Sequence, residues 1–228
     1  FDFSIGNPDL EPPHEVSDAL ADICSNPVPG MHGYMSNSGY ESTRAMIAEK
    51  RSKESGLSIN PGAVCMTVGA AAAMNDVLHA LLDDGDEVIV LSPFFMEYNG
   101  YIANHNGKVV IVPTDENFMP VISRIREAVT DRTKAIIINS PNNPSGVVYP
   151  ASLLKELNDM LKSFNHTIQV ISDEPYIDLI YDGISVPCAM SYIDNIVVCF
   201  SWSKSLSLPG ERIGYTLVSP KNADYDDL

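Results

Sequence analysis

Positive charge is scarce in this sequence. Fourteen Lys and Arg stand against 30 Asp and Glu, a formal net charge of −16. That balance disfavours a nucleic-acid or anionic-membrane partner. An anionic ligand would need a local positive pocket built against the global field. Long apolar runs are missing too. None reaches membrane-spanning length, and no signal-peptide pattern opens the chain. The first residue is Phe1 rather than Met, so the start is expected to be missing or processed. There is no C-x-x-C. Cys24, Cys65, Cys188 and Cys199 are far apart, and the five histidines make no metal-ligand spacing with them. Buried free thiols in a reducing compartment are expected, hence a cytoplasmic location and no metal. Internal repeats and low-complexity linkers are also absent. Asn165-His166-Thr167 matches a glycosylation sequon, but such triplets are common by chance.

What is present is a 228-residue chain that is 45% hydrophobic, enough for a sizeable core in one large or two small domains. Val16, Ala19, Leu20 and Ile23 share one face of a helix in "HEVSDALADICSN". "YESTRAMIAEKRSKESG" reads as a second helix closed by Gly56. Short β-rich runs follow at 63–68, 86–92, 108–113, 134–140, 168–173, 195–201 and 213–219, with helical stretches at roughly 70–82, 95–106, 120–130 and 150–163. Near-continuous Val/Ile runs alternating with helices predict an α/β fold, a mainly parallel sheet covered on both faces. Such sheets bind ligands beyond the carboxyl ends of their strands.

The residues after each strand therefore come first. "GAAAAMNDVLHALL" follows the first run. Gly69 and the alanines let a helix begin with bare N–H groups, an anion site or merely a closely packed helix. No Gly-Lys-Ser/Thr follows, so it is not a nucleotide P-loop. "PFFMEY" follows the second run, and Phe94 and Phe95 read as core or as an aromatic wall for a planar ring. "PNNPSGVVYP" is a rigid turn in which Asn142 or Asn143 satisfies the backbone or points an amide at a ligand. Asp173, in "SDEPY", is a helix N-cap or a carboxylate that holds a positive charge on a ligand. The run "NIVVCF" ends in "SWSKSLSLPGERIGY", a hydroxyl-rich turn holding Lys204, with Arg212 eight residues on. Anion cup, aromatic wall, Asn turn, acid with tyrosine, and lysine with arginine follow in that order. The set fits a planar, phosphorylated, N-protonated heterocycle that joins a lysine covalently.

On "SPNNPSG", "SDEPY" and "S-x-S-K" followed by "G-x-R-x-G", the chain resembles the pyridoxal-phosphate enzymes of fold type I, within them the class I/II aminotransferases. The likeness runs from "IGNPD" to "ERIGY". It implies a three-layer α/β/α sandwich with a mainly parallel seven-stranded sheet. It implies an enzyme that transfers an amino group from an L-amino acid to a 2-oxo acid, through a lysine aldimine and a pyridoxamine phosphate intermediate. Lys204 resembles the aldimine lysine and proton shuttle, and Asp173 the partner of the pyridine nitrogen. Tyr176 and Asn143 would contact the ring's phenolic oxygen, with Asn143 also near substrate, and Phe95 would stack on the ring. Ser201, Ser203, Arg212 and the backbone amides of Ala70 and Ala71 would hold the phosphate. Gly210 would let the loop fold Arg212 back toward Lys204. Tyr34 resembles the tyrosine that reaches the neighbouring subunit's cofactor, which implies a homodimer with shared active sites. Gly6 matches the glycine near the substrate carboxylate.

The resemblance also has departures. Pro209 precedes Gly210 and should stiffen that loop. The family chain usually continues into a C-terminal small domain that supplies an arginine for the substrate carboxylate. That domain and arginine are expected beyond Leu228, with residues 1–30 as N-terminal arm and small-domain segment and 31–228 as the cofactor-binding large domain. Two other functions fit the same residues: a β-elimination lyase on this fold, or a regulator with an aminotransferase-like sensing domain. Residues 1–228 alone, without the carboxylate-binding arginine, are expected to bind the cofactor weakly and to transaminate negligibly.

Overall fold

In the computed structural model, which describes residues 6–228, seven strands form one sheet. The elements run α1 (His14–Ser25), α2 (Glu41–Ser55), β1 (Val64–Thr67), α3 (Ala70–Leu81), β2 (Glu87–Ser92), α4 (Tyr98–Asn104) and β3 (Lys108–Pro113). They continue as α5 (Ile122–Ala128), β4 (Thr133–Asn139), α6 (Ala151–Leu161), β5 (Gln169–Asp173), β6 (Ile196–Ser201) and β7 (Gly214–Val218). The spatial order is β1-β7-β6-β5-β4-β2-β3. Strands β2 to β6 are parallel, as the unbroken Val/Ile runs predict. β7 runs antiparallel to both β6 and β1.

Strand alternation divides the core into two layers. Ile89, Ile136, Ile138, Val170, Val198 and Phe200 pack with α2, α5 and α6. Val88, Val90, Ile137, Ile171, Val197 and Cys199 pack with Ala73, Met74, Val77 and Leu78 of α3 and with Tyr98 and Ile102 of α4. The result is the expected α/β/α sandwich. Gly56 closes α2 in the left-handed conformation at φ 72°, as expected.

The structure corrects the sequence reading in three places here. All four cysteines are free, but only Cys199 is buried. Cys188 is half-buried, and Cys24 and Cys65 are exposed. Cys65 lies on β1, an edge strand with β7 as its one neighbour. Cys24 lies on α1, where no residue is buried. The apolar face of α1 therefore exists but is uncovered among the described residues, with only Leu206 beside Val16, Ala19 and Leu20. The helix expected at 95–106 forms only over Tyr98–Asn104, because the segment after Pro93 turns before it coils. Nor does a helix follow Pro175, so Asp173 is not a helix N-cap. Phe1 and the first two residues of "SIGNPD", Ser4 and Ile5, lie outside the described residues.

Candidate active site

The carboxyl ends of β4, β5 and β6 converge on one face. Register aligns Asn139 with Asp173, and Asp173 with Cys199. Beyond them opens a cavity of about 360 Å³. Gly6, Ala70, Ala71, Phe95, Asn143, Asp173, Tyr176, Ser201, Ser203, Lys204 and Arg212 all line it. Tyr34 does not. Its side chain is fully exposed elsewhere on the same chain.

One wall is a cup of donors. α3 begins at Ala70 behind Gly69, and no side chain caps it. Its first N–H groups are therefore free for an anion. Ser201 and Ser203, both buried, stand opposite. Arg212 adopts φ 56° and donates from Nη1 to the Pro209 carbonyl at 3.1 Å. Two glycines make this packing possible. A Cβ at Gly69, whose φ is 86°, would lie 2.8 Å from Arg212 Nη2. A Cβ at Gly214 would lie 2.4 Å from the Phe200 carbonyl oxygen and 2.8 Å from Gly69 C. The second glycine of "G-x-R-x-G" thus clears the strand and the cup together. Gly210 does not have the role expected of it. It lacks a positive φ, and a Cβ there would meet nothing within 4 Å. The left-handed residues that turn the loop are Ser207 and Arg212 themselves.

The floor is Asp173. Burial pushes its carboxyl up to about 6, the Tyr98 hydrogen bond pulls it down, and the charge of Glu174 adds to the rise. Tyr98 Oη donates to Oδ2 at 2.6 Å. Oδ1 is buried with no hydrogen-bond partner. The Asn139 side chain ties two strand ends together. Its Nδ2 donates to the Asp173 carbonyl at 2.8 Å, and its Oδ1 accepts from the Asn143 amide at 2.6 Å.

The two asparagines of the turn divide the roles left open by sequence. Asn142 Oδ1 accepts from Ser145 N at 3.1 Å and from Ser145 Oγ at 2.7 Å, so it closes the turn. Asn143 faces the cavity and donates to Tyr176 Oη at 3.2 Å. Burial raises the Tyr176 phenol and the Asp173 charge adds to that, while the Asn143 contact opposes it. Phe95 lines the cavity and meets Tyr98 edge-on, with ring centroids 5.8 Å apart. Phe94 packs into the core beside α4. Lys204 Nζ donates to the Gly6 carbonyl. Burial holds the Lys204 amine below the usual lysine range.

Sequence reasoning missed four residues here. Tyr98 and Asn139 hold the floor and the turn. Glu97, just before α4, and Tyr101 on α4 line the cavity and bond to each other as an i, i+4 pair. The spacing Glu97, Tyr98, Tyr101 behind the Phe pair was the available signal. A slightly larger cleft, about 430 Å³, lies toward α2 and is lined by Arg51, Glu54 and Glu174. There the terminal nitrogens of Arg51 are already paired with the two carboxylates, so it offers no open cation for an anion. Among the described residues no cluster suits a metal ion.

The donor cup, an amine that burial holds below the usual lysine pKa and an acceptor for one cationic N–H define a site for a phosphorylated, N-protonated aldehyde. An unpartnered buried Asp173 Oδ1 opposite a free helix N-terminus is what pyridoxal phosphate requires, so the residues fit that group. The family described as aminotransferase class I and II matches residues 1–225, and the chain belongs to it. Members of this family depend on pyridoxal phosphate. The chain is 36% identical over 212 residues to aspartate/prephenate aminotransferase of Thermus thermophilus, covering 92% of this chain and 54% of that protein. It is 36% identical over 222 residues to aspartate aminotransferase of Thermotoga maritima, covering 96% and 58%. An aminotransferase structure from Eubacterium rectale superposes with a TM-score of 0.95 at 42% identity, over 100% of this chain and 59% of the other. The chain thus spans a little over half the length of these relatives.

Proposed function

We propose that the protein is a pyridoxal-phosphate-dependent aminotransferase that moves an amino group from an L-amino acid to a 2-oxo acid. The observation that carries this is the meeting of Lys204, Asp173 Oδ1 and the Arg212 cup in one cavity. When bound, the cofactor supplies an electron sink for the pair released at the substrate Cα and a carbon that takes the amino group.

The protein's own residues do the rest. Arg212, Ser201, Ser203 and the Ala70 and Ala71 amides bind the phosphate. Phe95 covers one face of the ring and excludes water. Asp173 holds a proton on the ring nitrogen by offering it an anion. Tyr176, positioned by Asn143, donates toward the phenolic oxygen. Lys204, whose pKa burial holds below the usual lysine range, would hold the cofactor through its amine and would carry the proton at the substrate Cα. Gly6 supplies backbone beside the substrate carboxylate. Residues 31–228 act as the cofactor-binding domain, with 1–30 as arm and small-domain segment. Tyr34 reaches the cofactor of a second copy in a homodimer, and the protein acts in the cytoplasm in amino-acid biosynthesis.

Relatives named for aspartate, prephenate and aromatic amino acids suggest acidic and aromatic donors. The test uses the full chain with pyridoxal phosphate and L-aspartate or L-phenylalanine, without acceptor. One equivalent of 2-oxo acid per bound cofactor is expected, with turnover resuming on addition of a second 2-oxo acid. Continuous release of ammonia would assign elimination instead.

A further inference from the structure

We infer that Tyr98 is a positioning residue for the site: by occupying Asp173 Oδ2 it fixes the carboxylate so that Oδ1 alone is presented to the cationic N–H of the ligand. This rests on the cofactor reading above and names the residue that orients its key acceptor. Asp173 is the last residue of β5, buried between neighbouring strands. Its carboxylate can rotate unless one oxygen is held. Tyr98 Oη lies 2.6 Å from Oδ2, and Oδ1 has no partner. The phenol is held in turn, because Tyr98 is 2% exposed and packed against Phe94, Phe95 and Tyr101. An aromatic clamp thus sets the direction of one lone pair.

The alternative is that Tyr98 is core filler whose hydroxyl takes the nearest acceptor. The distinction is electrostatic. A hydrogen bond donated to a buried carboxylate favours its charged form. The titratable groups that act on Asp173 are Tyr98 and Tyr101 from α4, Tyr176 from the segment after β5, Cys199 from β6 and, through the field from the other face, Glu174 just beyond β5. Tyr98 donates to the carboxylate directly, whereas Tyr101 Oη is engaged with Glu97.

The test is Tyr98→Phe, which removes the hydroxyl and keeps the ring. In the cofactor-free full chain, the Asp173 carboxyl carbon is followed by NMR as pH is varied. The midpoint should rise by about one to two pH units, as loss of a hydrogen bond to a charged group implies. Tyr101→Phe should leave it in place. Pyridoxal phosphate affinity at pH 7 should fall about tenfold or more in Tyr98→Phe. It should fall no further when Tyr98→Phe is added to Asp173→Asn, which serves as a second measurement if the single variant folds poorly. An Asp173 midpoint unchanged by Tyr98→Phe overturns the inference, as does full additivity in the cycle. Failure of the unmodified protein to bind pyridoxal phosphate would instead sink the cofactor reading, and the carboxyl titration would still report on Tyr98.

Discussion

Arg212 lies directly against Gly69: a Cβ added at residue 69 would sit 2.8 Å from the arginine's Nη2. The helix that opens the anion cup and the loop that closes it are therefore fitted to each other through one missing side chain. Gly69→Ala would push the guanidinium aside. It would also place an L side chain at φ 86°, a strain of about 1–2 kcal/mol. Pyridoxal phosphate should bind about tenfold to a hundredfold more weakly, the value of losing a hydrogen bond to a charged group. Gly210→Ala, where the added atom meets nothing, should bind normally. Fluorescence titration of both variants checks this. Equal affinities would show that the Gly69–Arg212 contact does not matter for the cup.

Lys204 should carry the cofactor. Borohydride treatment of the loaded protein, followed by peptide mapping, should label Lys204. Label on another lysine such as Lys134 would show that the assignment is wrong. Burial lowers the Lys204 pKa from 10.5, so its amine is neutral at lower pH than that of a free lysine. Label incorporation should reach half its maximum at a pH below that of a blocked lysine peptide measured alongside.

Asp173→Asn should separate stability from catalysis. The folded pKa, about 6, lies above the ordinary 3.8. The protonated form is thus favoured in the folded state. Its stabilisation is fully present below about pH 4 and is lost as pH rises through about 6. Above that, the buried charge costs on the order of 3 kcal/mol in the cofactor-free protein. The Asn variant keeps an acceptor for Tyr98 and carries no charge. It should melt higher than the parent at pH 8, with the gap closing toward pH 4. Its turnover should fall by an amount on the order of 2–4 kcal/mol in the barrier. Calorimetry at the two pH values and a transamination assay decide it, and near-normal turnover would rule out the proposed role.

The fold and much of the candidate site were legible because both depend on local pattern. Unbroken Val/Ile runs announced parallel strands, and strand ends pointed to ligand residues. What could not be read was what depends on tertiary fit. Tyr98 reads as one more aromatic in "SPFFMEY" until α4 is seen lying under Asp173. Gly210 looked like the hinge because glycine tolerates turns, yet the left-handed conformations fell on Ser207 and Arg212. The periodicity of α1 correctly announced an apolar face and carried no information on whether anything covers it. Asn142 and Asn143 are chemically identical, and only the turn's own hydrogen bonds separate them.

The last expectation concerns the opposite face of β5. The alternation of side chains along β5 carries on into Glu174 just after it, so Asp173 faces the cavity while Glu174 points to the α2 layer. There Arg51 Nη2 meets Glu174 Oε2 at 2.5 Å, with both side chains almost wholly buried. Burial opposes the arginine's charge more than any single neighbour favours it, but the Glu174 carboxylate and its hydrogen bond, with Tyr215 and Cys188, together outweigh burial and hold the guanidinium above its ordinary pKa. Ser172 Oγ donates to Glu174 Oε1 at 2.9 Å, and Glu54 accepts from Arg51 Nη1 at 3.2 Å. Removing one member strands a charge in the core. Arg51→Met or Glu174→Gln should each destabilise by about 3–5 kcal/mol. The double variant Arg51→Met/Glu174→Met should lose much less than the sum, because well-packed apolar replacements often match a buried pair. Urea unfolding gives these values. Pyridoxal phosphate affinity of the folded variants should stay close to the parent's, since the pair faces away from the cup. Additive losses in the double variant would show that Arg51 and Glu174 act separately, and a large loss of cofactor affinity would show that the two faces of β5 are coupled.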